Sequence, residues 1–135
     1  MAPALHARPF LGPGGLLDVG SGNGSPGLIL SLVEPERPAT LLEPRAKRWA
    51  FLREAARAAG REDVRVLRQR HDAYAGPACA NVTVRALRLP LPALEPLVEP
   101  GGRVLVFGAR PAPAEGWREA PTDTPAGPAV FVRER

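Results

Sequence analysis

Short apolar runs alternate along the chain with longer segments of helical spacing, and glycines or prolines separate the two kinds of segment. The apolar runs are four to six residues long and rich in valine and leucine, which is typical of buried strands. The predicted strands cover residues 15–19, 39–43, 64–67, 81–86, 103–108 and 129–132. Because strands that alternate with helices build βαβ units, the pattern predicts an α/β fold with a doubly wound, mostly parallel sheet.

Two of the intervening segments carry clear helical signals. Residues 26–33 open with a proline, which suits the first helical turn, and Ser25 before it is the predicted N-cap. Residues 45–59 place apolar side chains along one helical face, and Gly60 is the predicted carboxyl-terminal cap. A shorter, proline-containing helix is predicted over 92–98. Only about a dozen residues link the third and fourth strands, so the crossover helix there is expected to be reduced or absent.

With 135 residues, the chain has the length of one domain. We expect a short N-terminal extension over 1–14, a cofactor-binding core over 15–110 and a loop and strand over 111–135. The single cysteine, Cys79, excludes an intrachain disulfide framework, and two scattered histidines argue against a metal site. The sequence shows neither a secretory signal nor a long apolar segment, so a cytoplasmic protein without a membrane partner is expected.

Positive charge is concentrated in one part of the chain. Residues 45–70 contain nine basic and three acidic side chains, a net charge of +6, whereas the remaining residues sum to −2. A basic helix followed by a basic strand is typical of a surface that contacts nucleic acid. The alternative is a solvated helix face in an arginine-rich protein, since Lys47 is the only lysine among 18 basic residues.

The segment that closes the first predicted strand, residues 18–24, reads Asp-Val-Gly-Ser-Gly-Asn-Gly. A glycine-rich turn between a strand and a helix brings backbone amides close to a ligand at the carboxyl edge of a parallel sheet. The glycines at positions 22, 24 and 27 fit the dinucleotide pattern GxGxxG, and Glu43 lies at the distance expected for a ribose contact. The glycines alone therefore leave the cofactor class open.

Asp18, at the end of the first strand, separates two cofactor classes. A carboxylate there attracts the ammonium group of S-adenosylmethionine, directly or through water, whereas it repels the pyrophosphate of a dinucleotide. Glu43, at the tip of the second strand, is expected to accept hydrogen bonds from the ribose hydroxyls. The charge argument favours S-adenosylmethionine. The alternative is that Asp18 only caps the helix or braces the loop.

Several short motifs follow the glycine loop in a fixed order. They are Pro26-Gly27, Leu41-Leu42-Glu43, the run Lys47-Arg48-x-x-Phe51-Leu52-Arg53, then Arg70 and the pair Arg85-Ala86. On these motifs the chain resembles the GidB/RsmG family of 16S ribosomal RNA (guanine-N7) methyltransferases, over about residues 15–108. The resemblance implies a class I, Rossmann-like methyltransferase that uses S-adenosylmethionine and acts on ribosomal RNA or the small ribosomal subunit.

The resemblance and the charge argument together give a set of candidate site residues. The predicted cofactor contacts are Asp18, Gly20, Ser21, Gly22, Gly24, Ser25, Glu43, His71, Asp72 and Arg85, with His71 and Asp72 flanking the adenine. The predicted RNA contacts are Lys47, Arg48 and Arg53. Arg85 is also the candidate catalytic residue. Its guanidinium can contact the guanine, a phosphate or the cofactor carboxylate, and the sequence leaves these three alternatives open.

Two further expectations concern the chemistry and the aromatic side chains. Guanine N7 has an exposed lone pair and carries no proton, so its methylation needs alignment of the reactants and no general base. Trp49 and Phe51 are expected to pack on the sheet and not to stack on bases.

The chain departs from the family pattern at several positions. Ser25 stands where the family has a larger apolar residue, Glu43 replaces an aspartate, and His71-Asp72 replaces a Val/Ala-Glu pair. Fourteen residues precede Gly15, where the family carries a helical extension that covers the cofactor site. We therefore also consider a homo-oligomer that covers the exposed surface. A cofactor- or RNA-binding module without turnover and a dinucleotide-binding Rossmann protein are the alternatives in function.

Overall fold

The computed structural model describes residues 2–122 and 127–134, and its strands form one seven-stranded sheet. The strands are β1 Leu16–Val19, β2 Ala39–Leu42, β3 Arg65–Leu67, β4 Cys79–Arg85, β5 Val98–Phe107, β6 Trp117–Ala120 and β7 Ala129–Arg133. Their order is β3-β2-β1-β4-β5-β7-β6. Strands β1 to β5 pair in parallel, whereas β7 is antiparallel to both β5 and β6. The predicted α/β class with a mostly parallel sheet is confirmed.

Four α-helices and three 3-10 turns lie before and between the strands within the described residues. The helices are α1 Ala2–Ala7, α2 Gly27–Val33, α3 Ala46–Ala58 and α4 Leu91–Leu94, and the turns are Arg8–Phe10, His71–Ala73 and Glu95–Leu97. Only the turn His71–Ala73 lies between β3 and β4, so the expected reduction of that crossover is confirmed. The helix predicted over 92–98 is shorter than expected, because α4 ends at Leu94, a proline-containing 3-10 turn follows over Glu95–Leu97, and Val98 already belongs to β5.

Apolar side chains on both faces of the sheet form two core clusters. Leu17 of β1 packs with α4 residues on one face, whereas its neighbour Leu16 packs with α1, α2 and α3 on the other. This alternation follows from the two-residue period of a strand. Asp18 and its register partner Thr83 consequently project toward the face that carries α2 and α3.

The start of α2 differs from the prediction. Ser25 was expected to cap this helix, but α2 begins at Gly27, Pro26 precedes it, and no side-chain cap bond is made there. Instead, the Gly27 amide donates a hydrogen bond to the Asp18 carboxylate. The predicted Ser25 cap is therefore wrong, because an acid from the neighbouring strand already accepts from the first turn of the helix.

The carboxyl-terminal segment continues the same sheet. Strands β6 and β7 form an antiparallel pair in which Trp117 lies opposite Arg133, and β7 pairs with β5. Trp117 and Phe131 are buried in the core on the α4 face. Within the part of the chain that the structure describes, no helix has both the length and the apolar composition needed to cross a membrane.

Candidate functional site

The loop after β1 is a tight turn whose glycines adopt backbone conformations that other residues rarely accept. Gly20, Gly22 and Gly24 have φ values of 70°, 53° and 98°. A Cβ at Gly20 would lie 2.8 Å from Leu87 Cδ1, so a side chain there would also be crowded. The Ser21 amide donates to the Leu42 carbonyl at 2.9 Å, which ties the loop to the end of β2.

Asp18 is buried beneath this loop and links three parts of the fold. Its side chain is 1% exposed. Ser21 Oγ donates to Oδ2 at 2.6 Å, and Thr83 Oγ1 of β4 donates to Oδ1 at 2.5 Å. The Gly27 amide of α2 donates to the same carboxylate. Asp18 thus braces the loop against both β4 and α2, which is the alternative considered for it in the sequence.

Burial raises the pKa of Asp18 to about 6, against an ordinary value of 3.8. Loss of solvent contact outweighs the hydrogen bonds from Ser21 and Thr83, the Gly27 amide and the nearby positive charge of Arg85, all of which lower the pKa. The site therefore holds a carboxylate whose charge is costly until a further positive group approaches it.

The raised pKa of Asp18 predicts an unusual dependence of stability on pH. The folded chain binds this proton more tightly than the unfolded chain, so the free energy of unfolding should fall as pH rises from about 4 to about 6. The contribution of Asp18 to this fall is up to about 3 kcal/mol. Urea denaturation at several pH values should show it as a pH-dependent difference between wild type and Asp18→Asn. A constant difference between pH 4 and pH 7 would contradict the assignment.

Glu43 supports the loop from the second strand. Its side chain is 3% exposed, Oε1 accepts a hydrogen bond from the Gly22 amide at 2.9 Å, and Oε2 accepts one from the Arg45 amide at 2.7 Å. The carboxylate therefore connects the glycine loop to the start of α3. Each oxygen keeps a second lone pair that a ligand hydroxyl can use.

A cleft of about 520 Å³ opens on the outer side of the loop. It is lined by Gly20, Ser21, Gly22, Asn23, Ser25, Lys47, Arg48, Phe51, Arg85 and Ala86. Three of these residues carry a positive charge, and none of the described lining residues is acidic. The cleft is therefore suited to an anionic ligand.

Arg85 and Ser25 meet at one wall of this cleft. Arg85 is exposed, and its Nη1 donates to the Ser25 carbonyl at 3.4 Å. The Ser25 hydroxyl is buried and has no hydrogen-bond partner among the described residues. A buried hydroxyl without a partner is uncommon in folded proteins and is expected where a ligand completes the site.

Ala86, directly after Arg85, has a left-handed backbone with φ 61°. A residue with a Cβ pays about 1–2 kcal/mol for this conformation, and such strain is concentrated at functional sites. The turn at Ala86 ends β4 at the edge of the cleft. It was not predicted, because an Arg-Ala pair carries no turn signal of its own.

The structure brings some of the predicted site residues together and separates others. Gly20, Ser21, Gly22, Ser25, Lys47, Arg48 and Arg85 line the cleft. Asp18 and Glu43 are the buried braces of the loop, and Gly24 is buried under Leu28. The turn that contains His71 and Asp72 follows β3 at the same sheet edge, but it does not line this cleft.

Arg53 also lies outside the cleft. Its guanidinium carbon is 4.8 Å from the centroid of the Trp49 ring, in a separate groove between α3 and β3. Trp49 itself is half-buried, and its Nε1 donates to the Val66 carbonyl at 3.1 Å. Trp49 thus contacts the edge strand β3 through its indole N–H and is not part of either core cluster.

Phe51 contradicts the expectation that it packs on the sheet. It is 55% exposed and lines the cleft, whereas its neighbour Leu52 is fully buried. Because one residue step rotates a helix by about 100°, Leu52 and Ala56 take the buried face and turn Phe51 away from it. The spacing of Leu52 and Ala56 was the signal in the sequence that distinguishes the two faces.

Comparisons with known proteins agree with this architecture and site. The profile of the family GidB, described as rRNA small subunit methyltransferase G, matches residues 4–121. A ribosomal RNA small subunit methyltransferase G from Halorhodospira halophila is 42% identical over 108 residues, which is 77% of this chain and 51% of the relative. The chain therefore spans about half the length of that relative.

Two solved structures share the fold. TrmN from Thermus thermophilus superposes with a TM-score of 0.68 at 25% identity and covers 87% of this chain and 42% of its own. An RNA methyltransferase from Salinibacter ruber in complex with S-adenosyl-L-homocysteine gives a TM-score of 0.63 at 22% identity, covering 87% of this chain and 79% of its own. The family model covers residues 4–121, which is most of the 135-residue chain. The chain therefore belongs to the GidB family of rRNA small subunit methyltransferase G.

Proposed function

We propose that this chain is an S-adenosylmethionine-dependent methyltransferase core that methylates guanine N7 in small-subunit ribosomal RNA. The observation that carries the proposal is the glycine loop, which two buried carboxylates brace and which opens on a cleft with three positive charges. Membership of the GidB family supports the same reaction. We propose that the chain acts in the cytoplasm, on ribosomal RNA or on the small ribosomal subunit.

The chemistry of the loop fits S-adenosylmethionine. Asp18 lies beneath the loop, where Ser21 and Thr83 hold its carboxylate, and its negative charge favours a ligand that carries a positive group. A positive group there removes the cost of the buried charge. The unpartnered hydroxyl of Ser25 can donate to or accept from a polar ligand. The free lone pairs of Glu43 can accept from it.

The residues proposed to hold the cofactor extend along the carboxyl edge of β1, β2, β3 and β4. They are Asp18, Gly20, Ser21, Gly22, Gly24, Ser25, Glu43, His71, Asp72 and Arg85. The loop glycines allow close approach of the backbone, Glu43 accepts from the ribose hydroxyls, and His71 with Asp72 flanks the adenine. Asp18 acts mainly through the loop that it braces, and its charge attracts the cofactor ammonium.

S-adenosylmethionine, when bound, supplies an electrophilic methyl group. Guanine N7 supplies an accessible lone pair and has no proton to lose, so no residue of the chain needs to act as a base. The task of the site is then to align the guanine with the cofactor and to exclude competing orientations. Lys47, Arg48 and Arg53 are proposed to contact RNA phosphates, and the first two lie in the cleft itself.

Arg85 is the candidate for a direct role in the reaction. It lies at the end of β4 beside Ser25, and the strained turn at Ala86 fixes the backbone after it. Its guanidinium can donate to guanine O6, which leaves the N7 lone pair free to attack the methyl group, or it can hold the cofactor carboxylate. We propose that Arg85 contacts the guanine beside the cofactor, because it lines the same cleft as the glycine loop and as Lys47 and Arg48.

Transfer of a labelled methyl group tests the proposed reaction. Purified small subunits and naked 16S ribosomal RNA are each incubated with the chain and methyl-labelled S-adenosylmethionine, and the modified nucleotide is identified after digestion. The expected product is 7-methylguanosine. Cofactor binding without methyl transfer would identify the chain as a binding module and would contradict the proposed enzyme.

Self-association is a separate proposal. Leu5 of α1 and Leu32 and Val33 of α2 are 55%, 37% and 37% exposed on helices that belong to the same face of the sheet. We propose that a second copy of the chain covers these side chains. Light scattering should show a dimer that Leu5→Glu disrupts, and a strict monomer at high concentration would contradict the proposal.

A further inference from the structure

Phe51 is the one aromatic side chain among the described residues that line the cleft, and it is exposed beside three positively charged side chains. We infer that Phe51 is the stacking platform for an unpaired base of the RNA substrate, so that the cleft selects single-stranded over duplex RNA. The inference rests on the proposed function and names the form of RNA that the site accepts.

The exposure of Phe51 is not explained by folding. Leu52 and Ala56 supply the buried face of α3, with 0% and 3% exposure, whereas more than half of Phe51 is in contact with solvent. An aromatic side chain in that position loses hydrophobic stabilisation that a buried site would provide. Replacing Phe51 should therefore leave the core intact, and any loss of binding can be assigned to the cleft.

The charges around Phe51 match the other half of a nucleotide. Lys47 and Arg48 lie four and three residues earlier on α3, so they share a helix face with Phe51. Arg85 faces them from β4, and none of the described lining residues carries a negative charge. An aromatic face with positive groups on either side binds a base and its phosphates together.

The state of the RNA follows from the geometry of stacking. In a duplex, both faces of each base are covered by neighbouring bases, so Phe51 has no face to contact. An unpaired base exposes a face, and sequence-independent stacking on an aromatic side chain contributes about 1–3 kcal/mol per base. The cofactor shares this cleft through the glycine loop, but His71 and Asp72, which are proposed to flank its adenine, do not line it. The adenine is therefore assigned to another part of the sheet edge, and Phe51 is left to the RNA.

The test measures binding of a short, fluorescein-labelled, guanine-containing RNA to the full chain by anisotropy at fixed salt. Phe51→Ala and Phe51→Leu should each weaken binding of the single strand by about tenfold, as expected for the loss of one stacked base. Phe51→Tyr should bind within about twofold of wild type, since it restores the ring. Arg118→Ala, which removes an exposed side chain from β6 at the far edge of the sheet, is the control and should bind within about twofold of wild type.

The inference would be overturned if Phe51→Leu bound the single strand as tightly as wild type does. It would also be overturned if Phe51→Ala lost equal affinity for single strand and duplex, or if the wild-type chain bound no RNA. A loss of S-adenosylhomocysteine affinity in Phe51→Ala would also overturn it, because the ring would then serve the cofactor. Calorimetry on the wild-type chain tests the proposed function separately, since it reports on the cofactor in the absence of RNA.

Discussion

Replacing Gly27 by alanine is expected to lower the free energy of unfolding by about 3 kcal/mol and to weaken S-adenosylhomocysteine binding by roughly tenfold or more. A Cβ at this position would lie 2.5 Å from Asp18 Cβ and would overlap the Asp18 carboxylate. Because Asp18 also holds Ser21 and Thr83, the displacement would spread to the glycine loop and to β4. Gly27 therefore serves close packing, which is why the dinucleotide-like spacing of glycines occurs here without a dinucleotide.

Gly15→Ala is the matched control for this experiment. Its Cβ would lie 3.5 Å from the Pro38 carbonyl oxygen, which is ordinary van der Waals contact, and its φ is not positive. Urea denaturation and calorimetry on both variants should show a large loss for Gly27→Ala and a small one for Gly15→Ala. Equal effects on both variants would show that Gly27 does not hold the loop through Asp18.

Reversing two charges in the cleft should have the largest effect on RNA binding. The double variant Lys47→Glu, Arg48→Glu is expected to weaken binding to 16S ribosomal RNA by at least about 100-fold, because it removes phosphate contacts and adds repulsion. Filter binding at several salt concentrations gives the slope of the logarithm of the affinity against the logarithm of the salt concentration. This slope should be smaller by the amount that about two phosphate contacts contribute. Affinity for S-adenosylhomocysteine should stay within about twofold of wild type, since neither side chain is proposed to hold the cofactor.

The control carries the same charge change at the opposite edge of the sheet. Arg110 and Arg118 are both exposed, and Arg118 lies in β6, which is separated from the cleft by β7 and β5. Arg110→Glu, Arg118→Glu should bind RNA much as wild type does. If both double variants lose affinity equally, binding depends on net charge alone, and the cleft is not the RNA site.

Features that depend on neighbours in the sequence could be predicted. The apolar runs gave the positions of β1 to β4 and β7 within a few residues, because a buried strand carries its own periodic pattern. Helix α1 and strand β6 were not predicted. Ala4 and Ala7 of α1 are buried against core residues distant in the chain, so that helix has no local signal. Strand β6 is short, and it is held by its pairing with the next strand, β7.

The same limit applies to the candidate site. Asp18 and the loop glycines could be recognised from their spacing. The hydrogen bond from Thr83 to Asp18, however, joins residues 65 positions apart. Burial of Asp18 and its raised pKa follow from that three-dimensional contact and have no local signal. Phe51 is an aromatic residue next to the buried Leu52 and was expected to pack on the sheet, whereas the phase of the helix turns it into the cleft.

Isothermal calorimetry tests most directly whether the braced loop binds S-adenosylmethionine. The wild-type chain is titrated with S-adenosylhomocysteine and, separately, with NAD, and Asp18→Asn is titrated under the same conditions. We predict one-to-one binding of S-adenosylhomocysteine, weaker binding by Asp18→Asn and no binding of NAD. An absence of heat with S-adenosylhomocysteine, or saturable binding of NAD alone, would contradict the account.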